Sequence, residues 1–146
     1  MGGRGANLNV GTYLGWGNER RTGEYEVIHS DGNTKFLVQK NGTRISTPIF
    51  SNTEGRVYVT LNTQGRISGI TQYGADHKAV FIIHEPHGAE SLHDVHLHMG
   101  YGKDRIRIGW DNMTQSQKDL YFEIKRKCEE YGISEKAKGW YSNNGR

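Results

Sequence analysis

The sequence predicts an α+β fold: a single, mostly antiparallel sheet of about five to seven strands with one C-terminal helix packed on it. Three observations carry this prediction. Twenty glycines against two prolines fall at breaks between short β-branched and aromatic runs, the punctuation of a sheet built from hairpins. One amphipathic helical pattern with its own start and stop signals stands near the end of the chain. A length of 146 residues suits one domain with a modest core, flanked by loose ends.

Residues 1–23 are rich in glycine and asparagine, carry an Arg20-Arg21 pair and show no sustained period, so they are expected to form a flexible arm. The domain is expected over 24–135. It begins with a hairpin, Tyr25-Glu26-Val27-Ile28 and Thr34-Lys35-Phe36-Leu37-Val38, turning through Ser30-Asp31-Gly32-Asn33. A second pair, Arg56 to Leu61 and Arg66 to Thr71, turns through Asn62-Thr63-Gln64-Gly65 and alternates as half-buried strands do. Lys78-Ala79-Val80-Phe81-Ile82-Ile83 is nearly all apolar, which predicts a strand covered on both faces in the middle of the sheet. Arg105-Ile106-Arg107-Ile108 alternates again. Thr114 and Gln117 form a capping box, Leu120, Ile124, Cys128 and Tyr131 recur on one helical face, and Gly132 follows as a stop. A helix is therefore expected from about 115 to 131, with 136–146 as a polar tail.

Composition removes several classes of function. No apolar run approaches the roughly 20 residues of a membrane span, and Met1-Gly2-Gly3-Arg4-Gly5 has no apolar leader, so a cytoplasmic protein with no membrane partner is expected. Cys128 is the single cysteine, which excludes an internal disulfide framework and a cysteine-based zinc site. No phosphate loop or dinucleotide fingerprint precedes a helix. The formal charge of +3 and a pI near 9.0 are compatible with a polyanionic partner. A mean hydropathy of -0.79 is offset by 3 Trp, 8 Tyr and 4 Phe, too many aromatic residues for a chain disordered throughout.

Chemistry concentrates in the histidines. Five of the seven, His84, His87, His93, His96 and His98, lie within fifteen positions. An extended segment from Leu92 to Met99 puts His96 and His98 on one face with Asp94, and a turn at Glu85-Pro86-His87-Gly88 brings His84 or His87 across from that pair. Imidazole gives and takes protons near neutrality, so two of them suffice for metal-free RNA cleavage, one removing the ribose 2′-OH proton and one protonating the departing 5′ oxygen. On this reading His96 or His98 is the base and His87 the acid. Arg105 or Arg107 stabilises the phosphorane, with Lys103 as a further phosphate contact and Tyr101 and Trp110 placed to stack an unpaired base. A cofactor-free site is expected. The alternative is a divalent metal on His93, His96 and His98, with Asp94 or His87 as further ligand candidates; a purely structural role for the cluster is the third reading. Cys128 is expected to be a buried, inert thiol.

Met1-Gly2-Gly3-Arg4-Gly5-Ala6, the strand Gly55-Arg56-Val57-Tyr58-Val59-Thr60, and Pro86-His87-Gly88 followed by His96-Leu97-His98-Met99-Gly100 resemble small proteins of Gram-positive prophages and mobile elements. They also resemble C-terminal modules of phage head-morphogenesis proteins and of polymorphic toxins, some grouped with the barnase, EndoU, colicin and RelE-like ribonucleases. That fold is an antiparallel sheet preceded by a small helical part, whereas the helix here comes last. The resemblance implies an RNA-directed activity in a bacterial host cell and carries over to His87, His96 and His98, with Arg4 in the glycine-rich start as an RNA contact. The same company implies an alternative, an anti-CRISPR-like inhibitor that blocks a host defence nuclease or its ribonucleoprotein without catalysis.

Overall fold

A computed structural model describes residues 25–39, 51, 54–85, 91–100 and 105–144. The expected arm over 1–23 lies outside them, as do Arg4, His87, Tyr101 and Lys103.

Seven strands form one sheet whose spatial order follows the chain: β1 (Tyr25–Asp31), β2 (Thr34–Gln39), β3 (Val57–Leu61), β4 (Ile67–Tyr73), β5 (Ala79–His84), β6 (His96–Met99) and β7 (Ile106–Gly109). Neighbours are antiparallel except β2 and β3, which run parallel with Thr34 beside Val57. The α+β class and the mostly antiparallel sheet are as the sequence predicts. Both predicted hairpins are present. Gly32 takes φ +60 in the first turn, and in the second the Asn62 Oδ1 accepts hydrogen bonds from the amides of Gln64 and Arg66, both at 2.9 Å.

The register divides the side chains into two faces. One row, His29, Phe36, Val59, Ile70, Ile83, Leu97 and Ile108, crosses the whole sheet strand by strand. It is the floor of the main core, which two helices cover: α1 (Gln115–Glu130) with Tyr121 and Ile124, and α2 (Ile133–Asn143) with Ile133, Ala137 and Tyr141. The next row belongs to the opposite face: Ser30, Lys35, Tyr58, Thr71, Ile82, His98 and Arg107. A second core of Tyr25, Leu37, Tyr58 and Tyr73 sits on that face over β1 to β4.

Two expectations are corrected. The apolar run of β5 does not mark the middle of the sheet: β4 holds that position, and the strands buried at every residue are β2 and β3. Val80 in β5 is 42% exposed. Phe81 and Ile83 meet the main core while Val80 and Ile82 turn away, so the run reports β-branched propensity and not cover on both sides. The second correction concerns the end of the chain. α1 starts and stops as predicted, with the Thr114 and Gln117 capping box formed and Gly132 at φ +62, but the segment from Lys136 is not a tail. A second helix runs from Ile133 to Asn143 because Ile133, Ala137 and Tyr141, four residues apart, form an apolar stripe facing the sheet. Its Tyr141 hydroxyl donates to the Leu61 carbonyl at 2.7 Å and accepts from the Gln39 amide at 3.1 Å, tying the ends of the parallel pair together. Among the described residues no helix is long and apolar enough to cross a membrane.

Candidate active site

The last residue of β5 and the first of β6 are both histidines, and they are direct partners: His84 lies opposite His96. Period two returns His98 to the same side, beside Ile82 on one strand and Arg107 on the next. Three imidazoles therefore gather on the face turned away from the helices. Ring centroids are 5.5 Å apart for His84 and His96, 5.0 Å for His84 and His98, and 4.9 Å for His96 and His98. The first pair is parallel within 6°, while His98 stands edge-on to both.

The expected extension from Leu92 is shorter than predicted. Leu92 to Asp94 form a single 3-10 turn, capped by the Ser91 hydroxyl, and the strand begins at His96. The turn has a consequence for the chemistry: the Asp94 carbonyl lies 3.1 Å from His96 Nδ1. A carbonyl only accepts, so Nδ1 carries the hydrogen and Nε2 of neutral His96 holds the free lone pair. On the other side of the strand, Glu85 anchors the end of β5 to α1, its Oε2 accepting from the Tyr121 hydroxyl at 2.5 Å and from Lys125 Nζ at 2.7 Å.

The influences that shift two of the three imidazoles are burial and basic side chains. His84 is pushed down to about 4, by burial first, then by the charges of His98, His96 and Arg105. His98 is also pushed down to about 4, by burial, then Arg105, His96 and Arg107. Both rings are neutral at pH 7, and no acidic side chain contributes to either shift. Two buried ring nitrogens, His84 Nε2 and His98 Nδ1, have no hydrogen-bond partner, and neither does the buried Thr60 hydroxyl on the same face. Arg105 and Arg107 are both exposed, Arg107 on edge strand β7 and Arg105 immediately before it.

Imidazole lone pairs lie in the ring plane, and the His84 and His96 rings lie in near-parallel planes. The third ligand named in the metal alternative, His93, is exposed on the 3-10 turn with its Nδ1 3.7 Å from Asp111 Oδ2. Among the described residues no group of three or more His, Cys, Asp or Glu is disposed to hold a metal ion.

The remaining predicted residues divide cleanly. The structure brings Arg105 and Arg107 to the histidines. Trp110, expected to stack a base, is instead 8% exposed, because the turn after β7 folds it edge-on against Tyr121 and Phe122 at 5.5 Å, and Lys118 lies over its ring. His84, which the sequence places near the pair only as one of two options, is a full member. Cys128 is partly buried against the main core, and burial holds its thiol up to about 11. No protein-family model, no curated protein and no solved structure matches this chain.

Proposed function

We propose that the protein is a metal-independent endoribonuclease whose base is His96. The observation that carries this reading is the assembly of three imidazoles and two guanidiniums on one face, with no acidic side chain among the causes that lower His84 and His98. Such a site favours an anion, and the anion whose cleavage needs only proton transfer and charge stabilisation is an RNA phosphodiester.

His96 suits the base role better than His98. Its Nε2 holds the lone pair, and the Asp94 carbonyl continues to accept from Nδ1 when the ring becomes positive. His98 and His84 resist the positive charge. In the step, the 2′-OH proton moves to His96 Nε2 as the O2′–P bond forms, and the P–O5′ bond breaks as the 5′ oxygen takes a proton from the acid. The products are a 2′,3′-cyclic phosphate and a 5′-hydroxyl. The acid is assigned to His87 on the sequence alone. Arg105 and Arg107 offset the charge that builds on the phosphorane.

The test is cleavage of single-stranded and structured RNAs, including a CRISPR guide with and without its effector, in EDTA and then with zinc or manganese. Wild type is expected to cut in EDTA and to leave cyclic phosphate ends, and His96→Ala to be slower by about 10²- to 10⁴-fold. Cleavage only with metal would move the histidines to ligand roles. Folded protein that cuts nothing would favour the anti-CRISPR-like inhibitor, to be sought by capture of the host nuclease or its guide RNA.

A further inference from the structure

The sheet has two edges, and they are not alike. β1 is interrupted by a bulge between Val27 and His29, and the helices hold it down. Asp31 Oδ2 accepts from Lys127 Nζ at 3.3 Å and from the Tyr131 hydroxyl at 3.2 Å, the His29 ring lies 4.3 Å from the Tyr131 ring, and Lys136 Nζ donates to His29 Nδ1 at 3.2 Å. β7 differs. Its register with β6 runs without a shift from Ile106 to Gly109, and among the described residues no other strand pairs with it. Every second residue of such a strand turns its N–H and C=O outward, a template for one more strand. Ile106 is 58% exposed, more than any other large apolar side chain described, and a Cβ added at Gly109 would meet nothing within 4 Å.

Two rows of side chains flank this edge. Arg107 sits beside His98 on the histidine face, and period two places Arg105 there as well, while Ile106 and Ile108 belong to the helix side. Both arginines are exposed. A second copy of this chain is a poor occupant. Two-fold antiparallel pairing centred on Ile106 sets Arg105 opposite Arg107, and pairing centred on Arg107 sets that residue against itself, so like charges are directly opposite in each case. RNA offers phosphates to the arginines but no ladder for the backbone and no apolar side chain for Ile106. A strand that alternates acidic and apolar residues answers all three features.

We infer that β7 is a docking edge for an extended segment of a partner protein, which adds to the sheet with Asp or Glu beside Arg105 and Arg107 and apolar residues beside Ile106 and Ile108. The inference stands without the ribonuclease reading. It is tested with the full chain and a fluorescent peptide alternating Glu and Val, followed by anisotropy. The peptide is expected to bind, and one of the same composition with Glu and Val in two blocks is not. Successive amides of an added strand point alternately to the edge and to solvent, so N-methylation of either the Glu or the Val amides should abolish binding and of the other set should leave it. Arg105→Gln/Arg107→Gln is expected to weaken the peptide by about tenfold and Ile106→Thr by about threefold. Equal binding of the block peptide would reduce the contact to charge alone and overturn the inference, as would survival, or loss, of binding in both methylated peptides. Single-stranded RNA bound with no peptide bound would also overturn it and leave the arginines to nucleic acid. All three substituted side chains are exposed, so circular dichroism of the variants is expected to match that of wild type.

Discussion

At the scale of single residues, the neutral state of His84 and His98 has consequences that can be measured without any substrate. Both are held to about 4 in the folded chain against 6.5 for an unperturbed imidazole. Between those values the unfolded chain binds protons that the folded chain refuses. Stability is therefore complete above about pH 6.5 and falls as the pH drops toward 4. After allowance for solvent screening the two rings together are worth on the order of 2 kcal/mol over that window. Thermal melts at pH 7.5 and 5 should show the loss, and His84→Gln/His98→Gln should flatten it. Proton NMR should find both rings still neutral at pH 6, and a midpoint near 6.5 for either would contradict their burial among cations. The sequence made part of this legible. Period two alone places His96 and His98 together, and the adjacent cations are plain in Arg105 and Arg107. Membership of His84 depends on a register set across a 12-residue separation, and the tautomer of His96 depends on a 3-10 turn, neither of which spacing reveals. Trp110 shows the opposite failure, since an aromatic ring after a basic strand serves equally as a base platform or as a core side chain, and here it packs on Tyr121.

At the scale of elements, local chemistry decided what could be foreseen. The turn of the first hairpin and the ends of α1 each rest on residues whose preference is local: Gly32 in the left-handed region, the Thr114 and Gln117 box, Gly132 as a stop. The second helix is different. Its stripe of Ile133, Ala137 and Tyr141 is interrupted by charged residues and by Gly139, so propensity is weak and tertiary packing supplies the stability. Two glycines test this division. At Gly139 a Cβ would meet nothing within 4 Å, so Gly139→Ala should stabilise by about 0.5–1 kcal/mol by favouring the helix. At Gly65 the backbone has φ +76 and a Cβ would lie 2.5 Å from the Ser134 carbonyl oxygen, in the first turn of α2. Gly65→Ala should cost about 2 kcal/mol or more, because the β3–β4 turn and the helix cannot both keep their places. Denaturant midpoints of the two variants should move in opposite directions. Equal shifts would mean that α2 is not seated on that turn.

At the scale of the whole molecule, one sheet carries the helix-covered core on one face and the histidine triad on the other, and α2 packs where the sheet's parallel junction lies. Strand order follows chain order, so all neighbours but one are close along the chain. The exception is the parallel junction of β2 and β3, where the chain must cross over between Gln39 and Val57. Tyr141 closes that junction through Leu61 and Gln39, and Ile133 and Ala137 seal the core beside it. The histidine face depends on this indirectly. His98 belongs to the row that includes Lys35, Tyr58 and Thr71, so the strand positions that set its register run back through β4 to the parallel pair. A chain ending at Gly132 retains every strand and the whole triad but loses three fully buried side chains. At about 1.5–3 kcal/mol for each large apolar group, with the Tyr141 hydrogen bonds added, the loss is on the order of 5 kcal/mol, comparable with the entire stability of many domains. Truncation at Gly132 should therefore abolish cooperative unfolding. The milder Tyr141→Phe, which keeps the ring and removes both hydrogen bonds, should cost about 1–3 kcal/mol while the fold persists. If the truncated chain instead melts cooperatively near the temperature of the full chain, α2 is an accessory to the sheet, and the parallel junction must be closed by contacts other than Tyr141.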